Sequence, residues 1–531
     1  MSINKSKNPH SHRGIARSAG LISLATFCSR ILGFARDIVI ARLFGVYVYA
    51  QAFVIAFKIP NLLRDFVGEG ATNAVFVPVF TEYKVKHSPK EFWELANVVL
   101  VILSAVLFII TLSGIIFSPL IVRLIAPGFI ASADKLEATI RLNQIIFPYI
   151  ILISLAAFTM GLLNTLGHFS VPAFAPCLLN ISIIVFALIW GEGIKGLAAG
   201  VLIGGFLQLA IQVPVLYRKG FRLKFPRNFR HPAAKTIFRL MLPRAASSSI
   251  YQLNNFVDSI FGSLAFIVGE GGVAVLYFAY RLILFPVGIF SSALSQAILP
   301  AFSHQAAEND HIGLRRTLSF GLRANFFVML PATVGFMVLS RVIVSGLFEG
   351  GKFDSHSVEI TSRVLLFYSI GLFAYGGVKL FNSCLFALKD TFTPAKISFL
   401  SLSLSVTFNS ILVFPMKLSG LALANSISGI ITFIVLAVIL KKKLGGLELK
   451  SMRGSFLKIC LASFGMGLVC FLALGWNISS GYHIIDRILK VAVPITAGLI
   501  SYAAFCFILK VEQIGELLRW LKNRQTMGTP R

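Results

Sequence analysis

The sequence predicts an all-α polytopic membrane protein of about 14 transmembrane helices, built as two six-helix parallel repeats plus two C-terminal helices. Three observations carry that prediction. First, 56% of the 531 residues are hydrophobic and only 13% are charged, more apolar surface than a water-soluble chain can keep dry. Second, apolar runs such as 98–122 and 145–163 far exceed the roughly ten alternating residues of a membrane β-strand, which leaves helices as the spanning element. Third, the chain repeats itself. Phe76, Pro78 and Phe80 recur 222 residues later as Ile298, Pro300 and Phe302, and Val171, Pro172 and Ala173 recur at the same offset as Thr393, Pro394 and Ala395. Asp37 and Asp258 differ by 221, and the Gly196–Gly200 pattern returns 224 residues on at Gly420. A repeat of six helices, an even number, gives two halves of parallel topology.

The spans centre near residues 32, 65, 107, 150, 181, 205, 250, 290, 330, 370, 403, 430, 465 and 498. The first, 21–45, carries Arg30, Arg36 and Asp37 in its middle; the second, 49–83, carries Lys58, Pro60 and Arg64. The sixth contains a ladder of Gly196, Gly200 and Gly204, which suits close helix packing. The seventh bears Asp258 beside Asn254 and Asn255, the eighth (277–292) bears Arg281 followed by Phe285 and Pro286, and the tenth bears Lys379. The last two, 453–476 and 486–510, lie outside the repeat. Three segments result: an N-terminal six-helix lobe (1–220), a C-terminal six-helix lobe (221–445), and two further helices with a basic tail (446–531).

The formal charge of +28 would suggest nucleic acid in a soluble chain; here it collects in alternate linkers. Lys84, Lys86 and Lys90, then Arg218 to Lys235, Arg315 and Arg316, and Lys441 to Arg453 all follow even-numbered spans. By the positive-inside rule both termini are expected in the cytoplasm, with no nucleic-acid partner. The six cysteines sit in apolar runs without metal or disulfide spacing and read as small core residues. The N-terminus is polar and basic with no cleavage site, so it is expected to be retained. No Walker loop, zinc spacing, GxSxG elbow or paired-carboxylate motif is present, so the expectation is a non-enzyme without an organic cofactor.

The intramembrane cations are the functional signal. Each costs roughly 2.5–3.5 kcal/mol at a helix centre, so the five, Arg30, Arg36, Lys58, Arg64 and Arg281, must face water, an acid or a ligand. Arg30 and Asp37 are seven residues apart on one helix face, and Arg36 lies about 120° away from Arg30. A purely structural ion-pair network is the competing reading, but the acids near them, Asp37, Asp65, Glu69 and Asp258, are fewer than a balanced network needs. Guanidinium forks suit bidentate phosphate binding and lysine adds a point charge, so an anionic substrate is expected. Asp258 reads equally as a cation or proton site and as a salt-bridge partner of an arginine.

The residues Ser29, Arg30, Gly33, Arg36 and Asp37, then Lys58, Pro60, Asn61 and Arg64, Glu69 to Ala71, and Phe76 to Pro78 resemble the first two helices of the MurJ (MviN) lipid II flippases. Ala126 to Phe129, Pro172 to Pro176 with Asn180, Arg281 with Phe285 and Pro286, and Leu299 with Pro300 extend the resemblance over nearly the whole chain. It implies a member of the MOP exporter superfamily that flips lipid II, the undecaprenyl-diphosphate-linked peptidoglycan precursor, from the cytoplasmic to the periplasmic leaflet of the bacterial inner membrane. It implies that Arg30, Arg36, Arg64 and Arg281 are cavity cations, with Ser29, Lys58 and Asn61 in the same region; Asp37, on the Arg30 face of the first helix, is expected in the same substrate site. It also implies that the two terminal helices border a groove for the lipid tail, and that a sodium site could form at Asp258 and Asn409, with proton coupling as the other option. Membrane lipids and cell-wall synthesis proteins are the further expected partners. Gln51 and Tyr280 stand where relatives often have acids, and Asp65 where they often have a base, so the charge balance does not transfer in detail. The alternatives are an exporter of another polyprenyl-diphosphate-linked saccharide and a non-transport scaffold of the cell-wall synthesis complex.

Overall fold

The computed structural model describes residues 12–64, 75–191, 193–226, 228, 231–475 and 483–515, and these are helical almost throughout. The first helix, α1 (His12–Phe44), begins nine residues before the expected span; α2 (Val48–Arg64) and α3 (Val77–Lys86) form the two described ends of the long second run. Next, α4 (Pro89–Ile116) starts on Ser88, whose Oγ accepts the Glu91 N–H at 3.4 Å, with Pro89 at the first position, where its missing N–H costs nothing. That cap moves the third span about nine residues earlier than its apolar run. A short α5 (Ser118–Ile125) and a 3-10 turn (Pro127–Ala131) lead to α6 (Ala133–Ile146) and α7 (Tyr149–Thr165), which Pro148 separates into two arms of one span. After them come α8 (Ser170–Trp190), α9 (Ile194–Ala210) and α10 (Val213–Arg218). The glycine ladder of α9 packs directly on α8: a Cβ at Gly200 would lie 2.7 Å from Ile183 Cα, and one at Gly204 2.9 Å from Leu179 Cα.

The second half runs α11 (Pro232–Ser263), α12 (Ala265–Val268), α13 (Gly272–Pro286), a π-helical turn (Val287–Ser291), α14 (Ser292–Ala307), α15 (His311–Phe348), α16 (Ser355–Ser369) and α17 (Leu372–Ala387). It ends with α18 (Phe392–Lys443), α19 (Leu449–Ala473) and α20 (His483–Ile508). The π turn follows Pro286, which cannot donate into the helical ladder. Within α18, Lys417 (φ 52°, ψ −131°) leaves the helical backbone and divides the element into two arms. Lys443 at its far end donates to Asp390 just ahead of its start, so the two arms run antiparallel. Among the described residues nine helices are long and apolar enough to cross a bilayer, and the bent pair α16–α17 makes a tenth. The expected count of about fourteen is reached when α18 is taken as two passes and the charged helices α1, α2 and α11 are included.

The repeat is visible in the helix boundaries. Asp310, which caps α15 through the Gly313 N–H at 2.8 Å, stands 222 residues after Ser88. The starts of α6 and α16, and of α8 and α18, share that offset, and Phe80 and Phe302 are both fully buried.

Contacts divide the chain into two units. One is Met1–Phe266 with Glu270–Ala274; the other is Ile267–Gly269 with Val275–Arg531. In the first, α1 packs on α8, α8 on α9 and α2 on α6, around an aromatic core in which Phe158 meets Phe76 at 5.5 Å and Phe80 at 5.9 Å. Helix α11 packs against α4, α5 and the 3-10 turn, so it belongs to this unit. In the second, α15 is the hub for α16, α17, α19 and α20, and Phe326, Phe373, Phe381 and Phe433 form the core.

Candidate substrate-binding cations

Helix α1 changes character halfway. Its early apolar residues, Ile22, Leu24, Phe27 and Ile31, are exposed, whereas Ile40, Ala41 and Phe44 are buried. Arg30 lies in the exposed half and makes no ion pair among the described residues. Arg36 and Asp37 lie in the buried half, 5% and 0% exposed. Arg30 and Asp37 therefore share a helix face but not an environment.

Arg36 is held from three sides. Its Nη2 and Nε donate to Asp37 Oδ1 at 2.7 and 3.1 Å, its Nη1 donates to Asn180 Oδ1 at 3.2 Å, and its guanidinium carbon lies 5.7 Å from the centroid of the Phe57 ring. Asn180 Nδ2 also donates to the Ser29 carbonyl at 3.2 Å, beside Arg30. One amide on α8 thus grips α1 at two points two turns apart.

On α2, Lys58 is half-buried and donates to Ser259 Oγ on α11, with Asp258 near enough to act on it electrostatically. Asn61 donates to the Phe57 carbonyl at 2.9 Å, one residue beyond the carbonyl that Pro60 leaves without its helical donor; its own Oδ1 is buried with no partner. Arg64 closes α2, but its side chain, like Asp65 and Glu69, lies outside the described residues. The first unit therefore brings together Ser29, Arg36 and Asp37 through Asn180, and separately Lys58, Asp258 and Ser259.

Arg281 is half-buried on α13 in the second unit, six residues before the π-helical segment. Tyr280 beside it packs on Tyr368 at 5.6 Å, and Gln51 is buried in α2. Lys379 donates to Ser292 at 2.7 Å. Asn409 is fully buried with neither amide atom bonded, an oxygen donor of the kind a hard cation takes; it belongs to the second unit and Asp258 to the first. No group of three or more His, Cys, Asp or Glu side chains able to hold a metal occurs among the described residues.

Sequence pattern alone assigns no role to Asn180 or Ser259. The usable signal was an amide four residues after Pro176 in an otherwise apolar helix, and a hydroxyl next to Asp258.

A bundle of membrane-crossing helices with cations set into its spans defines a polytopic helical membrane protein. The fold is shared with an inward-facing MATE multidrug transporter of the MOP superfamily, at a TM-score of 0.67 over 78% of this chain and 94% of that one, with 16% identity. The chain belongs to the MurJ lipid II flippase family: residues 40–485 match the family described as lipid II flippase MurJ. It is 35% identical over 479 residues to a probable lipid II flippase MurJ of Buchnera aphidicola, covering 88% of this chain and 92% of the relative. A Vibrio cholerae relative of the same description is 31% identical, covering 94% and 96%. A solved structure of lipid II flippase MurJ in an inward closed conformation superposes with a TM-score of 0.78 and 28% identity, covering 93% of this chain and 99% of that one. The protein is a multi-pass membrane transporter, not an enzyme.

Proposed function

We propose that this chain flips lipid II from the cytoplasmic to the periplasmic leaflet by alternating access of its two lobes, with both termini in the cytoplasm. The observation that carries this is Arg30, an arginine within a membrane helix, exposed and without an acid among the described residues. A bare guanidinium there needs an anion, and the pyrophosphate of a lipid-linked precursor supplies two negative groups of matching geometry. Lys58, Asn61, Arg64 and Arg281 complete the receiving set in this reading. Arg36 has a different part: already neutralised by Asp37, it sets the shape of α1 and is not a free cation. The apolar tail stays in lipid while the head group passes, so the protein's work is confined to the charged head. Any uphill step draws on an ion gradient, the membrane potential or consumption of the product.

The test is complementation of a flippase-depleted bacterium together with a leaflet-resolved lipid II assay. Arg30→Ala abolishes growth and flipping while the protein inserts normally, and Arg30→Lys retains part of both, because a point charge still attracts phosphate. Arg36→Lys fails, because lysine cannot serve Asp37 and Asn180 together. Full growth with Arg30→Ala, Arg64→Ala and Arg281→Ala would refute the cationic receptor. Binding of lipid II no tighter than that of other polyprenyl diphosphates would favour the broader exporter reading.

A further inference from the structure

The end of α10 and the linker that follows it are described in detail from Tyr217 to Pro226, and nothing in the transport reading uses them. From 217 to 231 the sequence contains six lysines and arginines and no acid. It is not loosely attached. Gly220, at φ 102°, turns the chain off the end of α10, and Phe221 is buried against Trp93 of α4 at 5.6 Å. The next residues cross α4 without regular secondary structure, held there by one buried side chain. Asn97 Nδ2 donates to the Arg222 carbonyl at 3.1 Å and Asn97 Oδ1 accepts the Lys224 N–H at 3.0 Å. Arg222 folds back over the Tyr217 ring at 5.4 Å and donates to the carbonyls of Tyr217 and Phe221.

This fixed strap presents what a folded protein normally hides. Leu223 is 63% exposed and Phe225 77% exposed, while Arg218, Lys219, Arg222 and Lys224 are exposed around them. Its depth is set by α4. That helix has 28 residues, about 42 Å at 1.5 Å each, which matches a bilayer including its headgroup layers. Trp93 and Asn97 are its fifth and ninth residues, so the strap crosses about 6–12 Å from the helix start, where headgroups give way to acyl chains. Apolar side chains aimed outward at that level, ringed by cations, match an anionic lipid surface.

We propose that residues 217–226 form an interfacial anchor that docks on anionic phospholipid, Leu223 and Phe225 entering the acyl boundary while Lys219, Lys224 and Arg218 hold headgroup phosphates. The anchor fixes the start of α4 at a set depth. It does not depend on which lipid-linked cargo is moved.

The full-length protein is placed in nanodiscs of phosphatidylcholine alone or of equal phosphatidylcholine and phosphatidylglycerol, with Phe225→Trp as reporter against the four native tryptophans. The introduced indole shifts to the blue in the anionic discs and is quenched by lipids brominated near the headgroup. Adding Lys219→Gln and Lys224→Gln removes the dependence on phosphatidylglycerol and lowers the number of phosphatidylglycerol molecules retained in native mass spectrometry, by roughly fivefold in affinity per cation. An indole that remains water-exposed in both discs, equal quenching in both, or unchanged lipid retention by the double variant overturns the anchor. So does an indole buried only when a soluble protein is added, which would make the strap a protein-docking surface.

Discussion

Asn180 concentrates the chemistry of α1 in one side chain. It accepts from Arg36 and donates to the Ser29 carbonyl, and it is itself buried. Replacing it by alanine leaves an Arg36 donor without its acceptor in a dry site, at a cost of about 1–3 kcal/mol. Asn180→Ala is therefore expected to lower the thermal midpoint in detergent and to reduce flipping by loosening the turn that carries Arg30. Asn180→Asp keeps the acceptor for Arg36 but puts a carboxylate against the Ser29 carbonyl, so it restores stability incompletely. Wild-type midpoints for both variants would show that the amide carries no positional role. The charges themselves were legible in the sequence, because an arginine inside an apolar run has no innocuous explanation. Their pairing was not. Adjacent helical residues diverge by about 100°, so Arg36 and Asp37 are not neighbours by periodicity. Only the length of the arginine side chain, curled back on its own helix, brings Nη2 to 2.7 Å from the carboxylate.

At the scale of elements, the sequence located helices by their apolar runs but missed where they begin and turn. The polar start of α1 and the Ser88 cap of α4 extend both helices beyond their apolar stretches, because capping and helix propensity act outside the lipid too. The reversal inside α18 carries its own prediction. Asp390 accepts the N–H and hydroxyl of Thr393 at the start of the helix and pairs with Lys443 at its end. Partial burial works against its charge, but the hydrogen bonds from Lys443 and Thr393 and the lysine's attraction prevail, holding the carboxyl down at about 2. A depressed acid stabilises the fold above its ordinary pKa near 3.8, and that stabilisation is lost as pH falls through about 2. Asp390→Asn should therefore lower the midpoint relative to wild type at pH 6. The gap should narrow only below about pH 4 and close near pH 2. A gap that is constant across this range would mean the carboxylate is not what joins the two arms. Because both partners are partly exposed, high salt should also narrow the gap.

On the scale of the whole molecule, the stretch where the chain passes from one unit to the other is pinned to the first unit. Glu270, set between Gly269 and Gly271 at φ 87° and 86°, accepts from Lys135 of α6 at 2.6 Å, and the Gly128 N–H donates to Ser263 Oγ at 3.0 Å. The sequence offered no sign of this, since Lys135 and Glu270 are separated by 135 residues and neither lies in a repeated motif. Lys135 is 3% exposed and also lies over the Phe129 ring at 5.4 Å, whereas Glu270 is largely exposed. The two ends of the pair are thus unequal: losing the acid strands a buried ammonium, while losing the lysine strands only a solvated carboxylate. Glu270→Gln should consequently destabilise more than Lys135→Met, and combining them should recover much of the loss. That positive coupling distinguishes a compensated buried charge from two independent surface changes. If the passage between units must also flex during transport, Glu270→Gln lowers the midpoint while flipping is retained or raised, whereas Gly128→Val, whose Cβ would lie 2.0 Å from the Ser263 carbonyl, lowers both. Additive effects of the Lys135 and Glu270 changes on the midpoint would remove the pin and leave the passage held by the Gly128–Ser263 contact alone.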